Sequence, residues 1–209
     1  MKGQSEIVSA LLIILIAIAL TTTALMWGLP LLRKRQDSVL VEKINAAFDP
    51  QRPRCLQNVI KNVANNGGSE KFFVDTEGIW TVNETENSIS FSFFALACDK
   101  ALNMWIGENC PENGTGKARE GTIGVDEPFV KCVFATKSGD GFDITYKLWF
   151  RDMVSEDGNT VWRIQMKIPE GGLNTCSCKS LVVRREDGVS EETIDGKRLI
   201  KTEVEIVLG

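Results

Sequence analysis

The sequence predicts an α+β protein: one long N-terminal transmembrane α-helix followed by a mainly antiparallel β domain, folded as a sandwich or a strongly curved sheet. Three observations carry that expectation. Residues 7–32 contain no charged side chain, a run longer than the ~20 residues that cross a bilayer core. Helical spacing of apolar residues then continues to Phe48 and stops before Pro50. From about residue 55 the apolar period falls to two, with turn residues between the runs.

The chain therefore divides into a short leader (1–6), a transmembrane helix with an amphipathic extension (7–48) and a β-rich domain (49–209). A lipid bilayer is the expected partner of the apolar run, and Arg33, Lys34 and Arg35 mark its boundary with water. Ala24 and Gly28 form a small-xxx-small pair that lets a second helix approach closely, and Thr21, Thr22 and Thr23 can bond to helix carbonyls or to a neighbour. Gly28 and Pro30 are expected to loosen or kink the helix, because proline lacks the amide hydrogen and crowds the preceding turn. Beyond the basic cluster, Leu40, Ile44, Ala47 and Phe48 form a stripe with Asp37, Glu42, Lys43 and Asn45 between them. A helix over 7–48 would be ~60 Å long, so its second half must leave the membrane and lie on the soluble domain.

In that domain Phe142, Ile144, Tyr146, Leu148 and Phe150 alternate with polar residues, as do Trp162, Ile164, Met166 and Ile168. Further strands are expected at 72–74, 79–82, 89–94, 129–136, 181–185 and 199–208, arranged as a meander. Turns are expected at 138–141, 156–159, 186–188 and 195–196, all carrying Gly with Asp, Asn or Ser. A short helix is expected over 99–106 with Asp99 as its cap. Trp162 falls on the apolar side of its strand and reads as core. Trp149 falls on the polar side and reads as a contact for a subunit, a ligand or a second sheet.

Composition narrows the chemistry. Histidine is absent, which removes the commonest general base and metal ligand, and the net charge of −4 gives no reason to expect nucleic acid as a partner. No catalytic residue, metal site or cofactor is assigned. The six cysteines, Cys55, Cys98, Cys110, Cys132, Cys176 and Cys178, all follow the apolar run and are disulfide candidates. Cys98 and Cys110 are the expected local pair. Cys176 and Cys178, two apart, are expected to take separate partners, because a bond between them would strain a short ring. Zinc is disfavoured by ligand type and spacing. Gly114-Thr115-Gly116-Lys117 lacks the remaining residues of a phosphate loop, and the acidic turns at Asp140 and Asp157 lack a calcium ladder.

Topology is contested within the sequence. The basic cluster favours a cytoplasmic domain by the positive-inside tendency, whereas the cysteines and the sequons at Asn83 and Asn113, both glycosylation candidates, favour an extracellular one. Met1-Lys2-Gly3-Gln4-Ser5-Glu6, followed at once by the apolar run, resembles the class III signal peptide of archaeal type IV pilin-like proteins. The likeness covers about the first fifty residues. It implies that a prepilin-type signal peptidase cuts between Gly3 and Gln4, and that the helix is retained for anchoring or assembly. Glu6, third after that cut where the family's glutamate is fifth, would pair with a neighbouring N-terminus in a filament. The function expected from the resemblance is a membrane-anchored, pilin-like surface subunit acting in filament assembly or adhesion, with no catalytic activity. The alternative is a monomeric anchored receptor or accessory protein that does not polymerise.

Overall fold

The computed structural model describes residues 2–194 and 196–209, with side chains from Ser9 onward except those of Glu186 and Asp187. Helix α1 (Lys2–Ala47) runs unbroken through Gly28 and Pro30. The expected loosening does not interrupt it. A mid-helix proline removes one hydrogen bond, the one to the carbonyl four residues back, and the ladder resumes beyond it. At 46 residues the rod is about 70 Å long.

A second helix, α2 (Leu56–Asn66), occupies a segment where the sequence reading had already turned to period two. Its buried residues Leu56, Val59, Ile60, Val63 and Ala64 recur at helical spacing, and that signal was available. Cys55 Sγ accepts the Asn58 amide at 3.4 Å as a cap, and Gly67 at φ 76° ends the helix.

Twelve strands follow: β1 (Ser69–Phe73), β2 (Ile79–Asn83), β3 (Ser88–Ala95), β4 (Trp105–Ile106), β5 (Gly121–Thr122), β6 (Phe129–Ser138), β7 (Gly141–Phe150), β8 (Met153–Val154), β9 (Thr160–Lys167), β10 (Thr175–Cys176), β11 (Ser180–Ile194) and β12 (Lys197–Leu208). Every strand expected from alternation is among them. They form two six-stranded sheets, ordered β1-β11-β12-β9-β8-β5 and β10-β2-β3-β7-β6-β4. Pairing is mainly antiparallel but is not a simple meander, since β12 runs parallel to β9 and β5 parallel to β8. The chain leaves β9 for the far edge of the other sheet as β10, then returns as β11. The turn expected at 186–188 is instead a register shift between Arg185 and Val189 inside the β11–β12 hairpin. Of the turn expected at 195–196, Asp195 lies outside the described residues.

The region 99–106 is not helical. Asn103 sits at φ 59°, its amide donates to Ala135 O at 2.7 Å, and Trp105 and Ile106 pair with the edge of β6. Edge pairing wins there over helical propensity, which is weak for so short a segment.

One continuous core joins both sheets, α2 and the last turns of α1; Phe48, Ile60, Trp80, Tyr146, Met166 and Ile206 are all buried in it. A smaller cluster lies on the outer face of the second sheet, where Val130, Cys132 and Trp149 are covered by Trp105, Cys110 and Ala118. Both tryptophans meet surroundings other than those expected, although Trp149 is on the expected face. Trp149 is fully buried beneath the 105–118 excursion, donating to Gly116 O at 3.0 Å, whereas Trp162 is 38% exposed near the start of β9. Gly114, at φ 67°, makes this covering close enough, because an added Cβ would collide with the Trp105 ring.

Asn87, buried and at φ 53°, ties the two sheets together. Its amide nitrogen donates to Phe150 O at 2.9 Å and Ile164 O at 2.7 Å, and its Oδ1 accepts from Met166 N at 2.8 Å. β8 covers only the start of β9, so the Asn87 carboxamide partners a strand edge that would otherwise stay open inside the protein.

Candidate membrane anchor and surface sites

Two halves of α1 meet different surroundings. From Ser9 to Leu32 every residue is exposed except half-buried Gly28, with Met26 and Trp27 at 71% and 75%. Among the described residues no other part of the chain covers this stretch, which is long and apolar enough to cross a membrane. Apolar side chains left in water at that density would each forgo ~1.5–3 kcal/mol of burial. The hydroxyls of Thr21, Thr22 and Thr23 return to the carbonyls of Ala17, Ile18 and Ala19 at 2.7–2.8 Å, so these three donors are satisfied within the helix. Ala24 and Gly28 lie four residues apart on one face, and nothing within 4 Å would meet a Cβ at Gly28. Gly3, Gln4 and Glu6 fall within the helical backbone, but their side chains lie outside those described.

Past Arg35 the helix docks on the β domain. Asp37 Oδ2 accepts the Leu96 amide at 2.7 Å, Val41 and Ile44 are buried, and Lys131 Nζ donates to Asn45 Oδ1 at 2.9 Å. Phe48 closes the contact, fully buried, with its ring 5.3 Å from Tyr146 and 6.0 Å from Trp80. Asp37, Val41, Ile44 and Phe48 repeat at four and three residues and so share one face. Sequence reading missed Asp37 and Lys131. The first could have been found by extending the stripe one turn toward the basic cluster.

A groove of about 350 Å³ opens beside this contact, between Ser38, Val41, Glu42 and Asn45 on α1 and Ala97, Cys98, Asp99 and Lys100. Burial lowers the pKa of Lys131 below the usual lysine value against the opposing pull of Asp49, and burial, with Asp99 and Cys98, raises that of the Tyr146 hydroxyl. A second cleft of about 300 Å³ is lined by Trp162, Met153, Ile200 and Ile123 together with Lys61, Arg151 and Arg163. These cations are engaged: Lys61 with Glu127, Arg151 with Asp126 and Arg163 with Asp152.

Carboxylates with lowered pKa values lie in three separate places. Burial alone would raise Glu86, but hydrogen bonds from Lys147, Gly116 and Ser88 and the Lys147 charge outweigh it. Glu203 is held down by Lys167 and Lys201, and Asp157 by Ser155 and Asn159 within its own turn. Their partners are structural, and the three do not converge on a common cavity.

The cysteines pair differently from the expectation. Cys110 bonds to Cys132, not Cys98. The chain after β4 folds flat onto β6, so close that a Cβ on Gly107 would strike Lys131 O and Cys110 Sγ, and this sets Cys110 beside Cys132. Cys176 and Cys178 are joined to each other. Their Cα atoms are 5.3 Å apart, shorter than the ~6.6 Å of two strand residues, because β10 ends at Cys176 and the chain bends there. Cys55 and Cys98 are free thiols, buried and half-buried respectively. Of the sequons, Asn113 is exposed, whereas Asn83 is half-buried with its Oδ1 accepting the Glu86 amide at 3.1 Å.

Comparison with family models, with curated proteins and with solved structures finds no match to this chain.

Proposed function

We propose that the chain is a membrane-anchored, pilin-like subunit of the cell surface, acting in filament assembly or adhesion through packing and display. The observation that carries this reading is the unbroken α1, with an uncovered apolar half and a second half built into the core of the β domain. A rod of that form can be held in a bilayer or a helical filament core while presenting its domain at a fixed angle. The bonds Cys110–Cys132 and Cys176–Cys178 support an oxidising, extracellular location for the domain. On this reading a prepilin-type signal peptidase removes the leader at Gly3–Gln4, and Glu6, Ala24 and Gly28 contribute to helix–helix assembly.

Mass spectrometry of filaments sheared from cells tests the proposal. The expected result is this protein with Gln4 as its N-terminus. Its absence from sheared filaments, with the whole population in the membrane fraction, refutes polymerisation. One observation favours that second reading of a monomeric anchored receptor or accessory protein: the three threonine hydroxyls bond within their own helix, which leaves them no unsatisfied donor for a neighbour.

A further inference from the structure

We infer that the rim of the β domain nearest the anchor, formed by Ile79, Phe94, Leu102 and Met104, rests on the lipid headgroup layer of the membrane that α1 spans. This rests on the reading of α1 as a membrane-spanning helix.

The placement follows from one hydrogen bond and the strand register. Asp37 lies two residues beyond Arg35, a rise of ~3 Å, and its carboxylate holds the Leu96 amide at 2.7 Å. The end of β3 is thereby fixed at the level where the helix passes its basic cluster. Phe94 lies on the last rungs of that end, level with Asp143 and Thr136. Thr136 Oγ1 meets Asn103 Oδ1 at 2.9 Å, which brings Leu102 and Met104 to the same level. β2 runs antiparallel to β3, so Ile79, at its start and opposite Ser92, sits on the same face as Phe94 and near the same end.

These four side chains are 48%, 50%, 40% and 54% exposed, although each is large and apolar. Scattered apolar exposure is ordinary, but four such residues on the one end tied to the anchor form a directed patch. Lys100 and Lys137 at this end are offset by Asp99, Asp140 and Asp143, so the rim itself gains little from charge. Its contact is a shallow apolar one, while Arg33, Lys34 and Arg35 on the adjoining helix supply attraction to anionic headgroups. Such a contact would hold the domain down on the membrane and fix its tilt.

The full chain carries its own reporters. It is reconstituted in vesicles of phosphatidylcholine and phosphatidylglycerol, treated with hydrogen peroxide, and read by mass spectrometry at Met26, Met104 and Met166. A second protein carries seven helix-forming residues inserted between Arg35 and Gln36, lifting the domain by ~10 Å and turning it by only ~20° from its original azimuth. The inference expects Met104 to oxidise several-fold more slowly in the native chain than in the insertion variant, with Met26 slow in both. Fast Met104 oxidation in the native chain, with Met26 protected, overturns the rim contact and leaves the anchor standing. Fast Met26 oxidation overturns the anchor. Met104 protection that survives the insertion assigns the patch to another protein surface and also overturns the inference. Buried Met166 monitors folding. If the insertion loosens the domain, the double substitution Phe94→Asp and Leu102→Asp takes its place and must likewise expose Met104.

Discussion

Asn87 offers the sharpest test of how the two sheets are held together. Its side chain makes three hydrogen bonds, to Phe150 O, Ile164 O and Met166 N, in a site from which water is excluded. Asn87→Gly keeps the left-handed backbone at no steric cost and removes only those bonds. At about 1 kcal/mol for each bond lost, and somewhat more for a donor left buried and unpaired, the cost is about 3 kcal/mol. Asn87→Ala adds about 1 kcal/mol, because a Cβ disfavours positive φ. Asn87→Asp should be worse than either, since it points a carboxylate at two carbonyl oxygens and exchanges a neutral group for a buried charge.

The assay is urea or thermal unfolding of the full chain in detergent, followed by tryptophan fluorescence. For a domain of this size the glycine variant should melt about 6–12 °C below the native protein. The predicted order of stability is native, Gly, Ala, Asp. A glycine variant within ~1–2 °C of native refutes the claim that these bonds are unreplaced on opening the site. An alanine variant more stable than the glycine one refutes the left-handed conformation.

Phe48→Ala should cost about 3–5 kcal/mol in the same assay, and proteolysis should then cut between Ala47 and Cys55, because the ring joins the helix to Trp80 and Tyr146. Cys132→Ala opens a loop with a sequence separation of 22 and should lower stability by about 3 kcal/mol under non-reducing conditions, with no difference from native once both are reduced. Glu86 has a folded pKa below the ordinary glutamate value of 4.5. The stability it contributes is full above that value and is lost as pH falls through the folded one. The melting difference between the native protein and Glu86→Gln should therefore shrink on acidification below pH 4.5. Lys131 is shifted the other way for its type, below 10.5, so the unfolded chain binds the extra proton and stability rises with pH across that window. Lys131→Met should be more stable than native at neutral pH and should lose the alkaline rise.

Where apolar residues alternated cleanly the sequence was legible, because a strand with one buried face leaves a period of two that no turn interrupts. β7 and β9 were read this way, and so was the long helix, whose uncharged run admits few other environments. Failures came where two influences met in one segment. The stretch 56–66 carries a helical stripe as regular as that of α1, but it lies just past residue 55, where the reading begins a period of two that holds only for the strands beyond it. Trp149 was placed by parity on the solvent side, correctly as to face. Its burial comes from an excursion of the chain with no regular structure, and alternation says nothing about what such a loop covers. The pairing of Cys110 was misread for the same reason, since it travels with that excursion, and that of Cys176 with Cys178 because alternation does not show the bend that ends β10.

The attachment of α1 to the β domain combines three unlike contacts over about 16 Å of helix. Asp37 contributes a charged hydrogen bond to a backbone amide, Asn45 receives a half-buried ammonium, and Phe48 fills an aromatic pocket. A single apolar stripe would hold the helix while letting it slide by a turn, because successive turns of such a stripe are nearly equivalent. Asp37 and Asn45 remove that freedom, since a slide of one turn would take the carboxylate from the Leu96 amide and leave Lys131 without its acceptor. Register along the helix is therefore set by polar groups and adhesion by apolar ones. The height of the β domain above the basic cluster is consequently a fixed length, and a fixed height is required both of a subunit that must match its neighbours in a filament and of a domain whose rim meets a membrane.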